Sequence, residues 1–156
     1  MSESTHDRVL IVTGSPNDWT IMDHCAAMLK QLGVAHRTLV ASAHRQPNRL
    51  HEAMDDFLGQ GGDVFICAAG MAAHLAGVVA SATTKPVLAV PLPGGMLDGL
   101  DALLSMVQMP RGVPVGTLAV GKHGAINAAI MAAQILALQD EALGQRLQAY
   151  KESLAQ

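Results

Sequence analysis

Proton chemistry near neutral pH needs an imidazole beside a group that can hold an anion, and one segment of this chain supplies both. In Ser42-Ala43-His44-Arg45-Gln46-Pro47 a side chain that titrates near neutrality stands next to a fixed cation able to grip phosphate or carboxylate. The plain alternative is a solvated loop histidine. A second segment, Cys67-Ala68-Ala69-Gly70-Met71-Ala72-Ala73-His74-Leu75-Ala76-Gly77, is rich in residues small enough to let backbone approach a ligand. The reading preferred for His74 is structural: small residues let a helix pack close to a sheet, and His74 is then a satisfied, buried imidazole. In Gly14-Ser15-Pro16-Asn17-Asp18-Trp19, Ser15 fits a helix cap, Pro16 the first helical position and Asp18 the returning acid of a capping box. The same amides, with the Ser15 hydroxyl, would make an anion site, and both readings can hold together. Gly116 to Lys122 has the spacing of a phosphate loop, but its intervening residues read as a strand. His123 also stands where a magnesium-binding hydroxyl is needed, so nucleotide hydrolysis is excluded.

The remaining candidates carry less. His6, His24, His36 and His51 lack spaced partners and read as surface histidines, and no His, Cys, Asp or Glu cluster has the spacing of metal ligands. Cys67 ends an apolar run without a neighbouring cation to lower its pKa, so it reads as an inert thiol.

The elements that must position these segments alternate along the chain. Short apolar runs predict strands at Val9–Thr13, Thr38–Ala41, Asp63–Ala68, Val87–Val90 and Pro114–Val120. Between the first two, Met22, Cys25, Ala26, Leu29 and Leu32 make one helical stripe that stops at Gly33. Further helices are expected from Pro47 to about Leu58, Ala72–Ser81, Leu97–Met109, Gly124–Leu138 and Asp140–Leu154. The pattern is that of an α/β fold: a flavodoxin-like three-layer α/β/α sandwich with a parallel sheet. Residues 1–156 form one expected domain, with a core over about 8–138 and a C-terminal helix over about 140–154. The stripe Leu143, Leu147, Tyr150 and Leu154 could pack on this chain or on a neighbour's. In such a sheet ligands bind beyond the carboxyl ends of the strands, where the candidate segments fall.

Composition excludes several functions. Of 156 residues, 10 are Lys or Arg against 13 Asp or Glu, and the aromatics are Phe57, Phe65, Trp19 and Tyr150 alone. Neither a phosphate-tracking surface nor a stacking platform for nucleic acid can be built from that set. The longest apolar run, Gly124–Leu138, is too short to span a bilayer, and Met1–Arg8 is too polar for a signal peptide. A cytoplasmic protein is expected, and Cys25 and Cys67, without a disulfide framework, fit a reducing compartment. The 15 Gly and 25 Ala leave a core of small side chains, which suits close backbone packing or oligomerisation.

Taken together, the loops resemble a known family. Gly14-Ser15-x-x-Asp18-Trp19, Ser42-Ala43-His44-Arg45-x-Pro47, Ala72-Ala73-His74-Leu75-x-Gly77, Gly99-Leu100-Asp101, Val107-Gln108-Met109-Pro110-x-Gly112-x-Pro114-Val115-Gly116-Thr117 and Gly121-Lys122-x-Gly124-x-x-Asn127-Ala128 look like PurE, the N5-carboxyaminoimidazole ribonucleotide mutase of bacterial purine biosynthesis. The resemblance covers Val9 to Leu138. It implies a cofactor-free isomerase that moves a carboxylate from an exocyclic nitrogen to a ring carbon by releasing and recapturing carbon dioxide. It implies His44 as proton carrier, Ser15, Asp18 and Ser42 as substrate-binding residues, and Arg45 on an anionic group. Gly70, Met71, His74 and Leu75 would wall the carbon dioxide pocket, and the phosphate would sit on amides such as those after Gly14. A ribonucleotide is then the partner, in a homo-octamer. The chain departs from the family pattern at Asn17, Gln46, Ala68, Met71, Ala76, Pro93-Gly94-Gly95-Met96 and His123. Met71 puts a flexible thioether in place of a glycine hydrogen, able to fill the pocket. Two other readings follow: direct carboxylation of aminoimidazole ribonucleotide, and a divergent paralogue that binds a ribonucleotide without turnover.

Overall fold

A computed structural model describes residues 6–156; Met1 to Thr5, where most of the signal-peptide reading falls, lie outside the described residues. The order is β1 (Val9–Thr13), a single 3-10 turn (Pro16–Asp18), α1 (Trp19–Gln31), β2 (His36–Val40), α2 (Pro47–Gly59), β3 (Val64–Ala69), α3 (Leu75–Ser81), β4 (Val87–Pro91), α4 (Leu100–Val107), β5 (Gly116–Thr117), α5 (Lys122–Ala137) and α6 (Glu141–Ser153). The strands form one parallel sheet in the order β2-β1-β3-β4-β5, with Thr13 opposite both Val40 and Ala68. This is the flavodoxin-like α/β arrangement expected from the alternation of elements.

Both faces of the sheet are covered, because β1, β3 and β4 are apolar along their length. Val9, Ile11 and Ile66 face α1 and α5, while Leu10, Val12, Phe65 and Cys67 face α2, α3 and α4. On the first face α5 presents Ala125, Ala128, Ala129, Ala132 and Ala133, all fully buried, so the helix backbone comes close to its neighbours. Gly124 marks the tightest point, since a Cβ there would fall on the Ala119 carbonyl. Helix α6 packs on its own chain: Leu143 is buried and Arg146 Nε donates to the Leu32 carbonyl at 2.7 Å. Asp140 caps α6 by accepting from the Leu143 amide at 3.0 Å, and Arg8 ties Asp140 (3.6 Å) to Asp63 (3.0 Å).

Several boundaries differ from the expected ones for physical reasons. Strand β2 begins at His36, not Thr38, because pairing with β1 starts at Val9 opposite His36, and an edge strand carries polar residues that hydrophobic pattern does not reveal. Strand β5 is only Gly116–Thr117 and not Pro114–Val120; it is the other edge, and Pro114 has no amide to give a ladder. Helix α3 starts at Leu75, not Ala72, because Met71 takes φ 53 and interrupts the helical path. Helix α4 starts at Leu100, not Leu97, after Asp98 (φ 48) and Gly99 (φ 99).

Candidate active site

A parallel sheet brings all its carboxyl ends to one edge, so the loops after β1, β2, β3 and β4 meet there. The loop after β1 is shaped by Ser15 and Asp18 together. The Asn17 amide donates to Ser15 Oγ at 3.3 Å and the Ser15 amide donates to Asp18 Oδ2 at 3.0 Å, which is the capping box read from the sequence. Asp18 is half-buried, and loss of hydration raises its pKa above the ordinary 3.8 although the Ser15 and Gly14 amides pull the other way. Gly14 has open space where a Cβ would be, so its backbone is reachable from outside.

The loop after β2 is a tight turn held by its ends. The Ala41 amide donates to the Thr13 carbonyl at 2.9 Å, the Gln46 amide to the Ser42 carbonyl at 2.8 Å and the Arg45 amide to Ser42 Oγ at 3.2 Å. Gln46 folds back so that its Oε1 accepts from the Ser42 amide at 3.4 Å, a use of this departure from the family pattern that spacing did not suggest. Ser42 is buried, whereas His44 and Arg45 stand at the exposed crest of the turn.

The loop after β3 brings the second histidine to the first. His44 Nε2 and His74 Nδ1 lie 2.9 Å apart, with rings edge to face at 83°. Since β1 lies between β2 and β3, this contact spans the carboxyl end of β1, the end from which the Gly14 loop leaves. His74 is exposed, so its reading as a buried, satisfied imidazole is wrong: it caps the start of α3, where the Val78 amide donates to its carbonyl at 3.0 Å, and the ring is turned to His44. Thirty residues separate the two histidines in sequence, and no local spacing announces the pair. In a hydrogen bond between two imidazoles one ring nitrogen donates and the other accepts, so His44 and His74 orient each other and each keeps its other ring nitrogen for a further partner.

Leu75 is buried beneath this loop and Gly70 abuts the loop after β4, where a Cβ on Gly70 would lie 3.5 Å from the Leu92 carbonyl oxygen. Met71 is 62% exposed and its side chain lies over Gly95, so the thioether does not sit enclosed among the small residues as its type alone allowed. Cys25 and Cys67 are buried free thiols; burial pushes the Cys25 pKa up to about 12 and raises that of Cys67 as well, which leaves neither as a nucleophile. No group of three metal-ligating side chains occurs among the described residues, and none of their helices is long and apolar enough to cross a membrane.

Known proteins are similar to this chain in sequence and in fold. A family model described as AIR carboxylase matches residues 8–156. The N5-carboxyaminoimidazole ribonucleotide mutase of Escherichia coli K12 is 48% identical over 152 residues, which cover 97% of this chain and 90% of that protein. The mutase of Bacillus subtilis 168 is 45% identical over 146 residues, 94% of this chain and 90% of its own length. Among solved structures, Treponema denticola PurE superposes with a TM-score of 0.86 at 26% identity, covering 94% of this chain and 90% of that one. A singly substituted PurE2 from the same organism gives a TM-score of 0.88 at 25% identity, covering 97% and 92%.

Proposed function

Because this chain belongs to the AIR carboxylase family, we propose that it converts N5-carboxyaminoimidazole ribonucleotide to 4-carboxy-5-aminoimidazole ribonucleotide in purine biosynthesis, with His44 as its proton carrier. The observation that carries the role of His44 is its 2.9 Å contact with His74 across the carboxyl end of β1. The reaction cleaves the bond from the exocyclic nitrogen to the carboxylate, releasing carbon dioxide, and that nitrogen takes up a proton. The ring carbon then attacks the retained carbon dioxide and loses its own proton. One imidazole performs both transfers in turn, giving a proton first and taking one afterwards, so that it ends as it began. His74, bonded to one ring nitrogen of His44, orients that ring so that its other nitrogen can face the substrate.

The other loops supply binding. Arg45, exposed beside His44, suits an anionic group, and Ser15, Asp18 and Ser42 offer polar contacts to the ribonucleotide. The open backbone at Gly14 and the amides that follow suit its phosphate. Gly70, Met71, His74 and Leu75 border the space that retains carbon dioxide. The enzyme works as a homo-octamer in the cytoplasm, a reading supported by the apolar outer side of α4 and by two reduced, buried thiols. Mutase activity, and not direct carboxylation, is favoured by the names borne by the relatives of near 50% identity.

The test follows interconversion of the two carboxylated ribonucleotides without ATP or added bicarbonate. The wild type is expected to turn over, and His44→Asn to lose activity by roughly a hundredfold or more, the scale of a lost general acid–base. Equal turnover in both would remove His44 from the mechanism. Ribonucleotide binding without turnover by the wild type would favour the non-catalytic paralogue.

A further inference from the structure

We propose that Met71 is a positioning residue: its thioether, seated on Gly95, ties the loop that carries His74 to the loop after β4 and so keeps His74 in contact with His44. The catalytic consequence rests on the role given to His44 above. Met71 and Asp98 are the two non-glycine residues of positive φ among the described residues, and they belong to the two loops that this tie would join. A residue with a Cβ is strained in the left-handed region, so the conformation of Met71 persists only if its surroundings hold it.

The holding surface is visible. Gly95 has φ 70, and a Cβ there would lie 2.9 Å from Met71 Cγ and 3.5 Å from its Sδ, so only hydrogen leaves room for the thioether. Asp101 Oδ2 stands 3.5 Å from the same point and borders this seat from α4. The loop beneath is braced, because the Gly94 amide donates to Asp98 Oδ1 at 3.0 Å. Gly70 lies alongside the same loop, where an added Cβ would come 3.5 Å from the Leu92 carbonyl oxygen. Between Met71 and His74 there is little slack, since the His74 amide donates to the Ala72 carbonyl at 2.9 Å. A shift at Met71 is therefore passed to the ring that His44 bonds. The exposed thioether and the missing side chain at position 95 are one adaptation, a knob and its seat.

Three variants test the seat from both sides. Met71→Asn tolerates the left-handed conformation but is too short to cover Gly95, Met71→Leu keeps an apolar reach, and Gly95→Ala both crowds the thioether and strains its own left-handed backbone. The readouts are mutase kinetics and the imidazole 15N resonances of the substrate-free protein. Met71→Asn should lower kcat roughly tenfold with KM changed by less than about twofold, since the binding loops after β1 and β2 are untouched, and Met71→Leu should recover most of kcat. The His44 and His74 resonances should move in Met71→Asn and in Gly95→Ala, and adding Met71→Asn to Gly95→Ala should cost little more than Gly95→Ala alone. Unchanged imidazole resonances in both single variants, or fully additive kinetic losses, would overturn the proposal. If Met71→Asn fails to fold, Gly95→Ala and Met71→Leu carry the same spectral test. A wild type without mutase turnover would refute the function proposed above, while the resonances would still report whether Met71 holds the histidine pair.

Discussion

Asp18 shows how a single residue serves shape and chemistry at a cost. Its carboxylate accepts the Ser15 amide and so closes the loop after β1, yet its position half out of water raises its pKa. A carboxyl whose pKa is higher folded than unfolded binds more protons in the native state. Between 3.8 and the raised native value, stability therefore falls as pH rises, and above that window the full penalty persists. Asp18→Asn removes the ionisation while an amide oxygen can still accept from Ser15. The variant should melt at a higher temperature than the wild type at pH 7, and the gap should close as pH drops below the carboxylate range. Thermal denaturation from about pH 3 to about pH 8 measures this, and a wild type that is the more stable at pH 7 would contradict it. Turnover should fall in the same variant, because the charge retained at a stability cost is the one assigned to substrate binding.

At the level of elements, the close approach of α5 to its own entry loop decides how tightly the α1–α5 face can pack. A methyl group on Gly124 has nowhere to go but into the Ala119 carbonyl, and backbone cannot swing aside as a side chain can. Gly124→Ala should cost about 3 kcal/mol or more in urea denaturation, whereas Gly144→Ala, with open space around its Cβ, should cost nothing and gain a little helix propensity. Equal midpoints for the two variants would refute the packing argument. These elements also show what could be read in advance. β1 was legible to the residue, since Val9–Val12 is an unbroken apolar run that Thr13 closes, buried on both faces. The capping box was legible because its parts lie within four residues of one another. The edges β2 and β5 were not, because pairing there depends on a neighbour's backbone. Nor was His74, whose partner is brought to it by strand order: a sheet that places β1 between β2 and β3 makes neighbours of two loops thirty residues apart. Gln46 and Gly95 are likewise explained only by what folds against them.

For the whole molecule, the unanswered surface is the outer side of α4. Its inner side buries Ala102 and Met106, yet Leu100, Leu104 and Val107 remain about half exposed, as does Leu97 in the loop before it, where Met96 is 96% exposed. The spacing of Leu100, Leu104 and Val107 by four and three residues makes a stripe, so this short helix is apolar on both sides, which is the mark of a helix that is covered. In the proposed octamer a second copy of the chain covers it, and the small-residue core is then reinforced by area buried between subunits, at roughly 25 cal/mol per Å². Symmetry repeats every contact, so one substitution acts at each interface of that kind at once. Leu104→Glu would bury an unpaired carboxylate in each, a cost of several kcal/mol apiece. Light scattering on the purified protein should give an octamer for the wild type and a smaller species for Leu104→Glu, with the helical circular dichroism of the chain retained. A monomeric wild type would refute the assembly. An octamer that survives the charge would move the interface away from α4 and leave the stripe to some other partner.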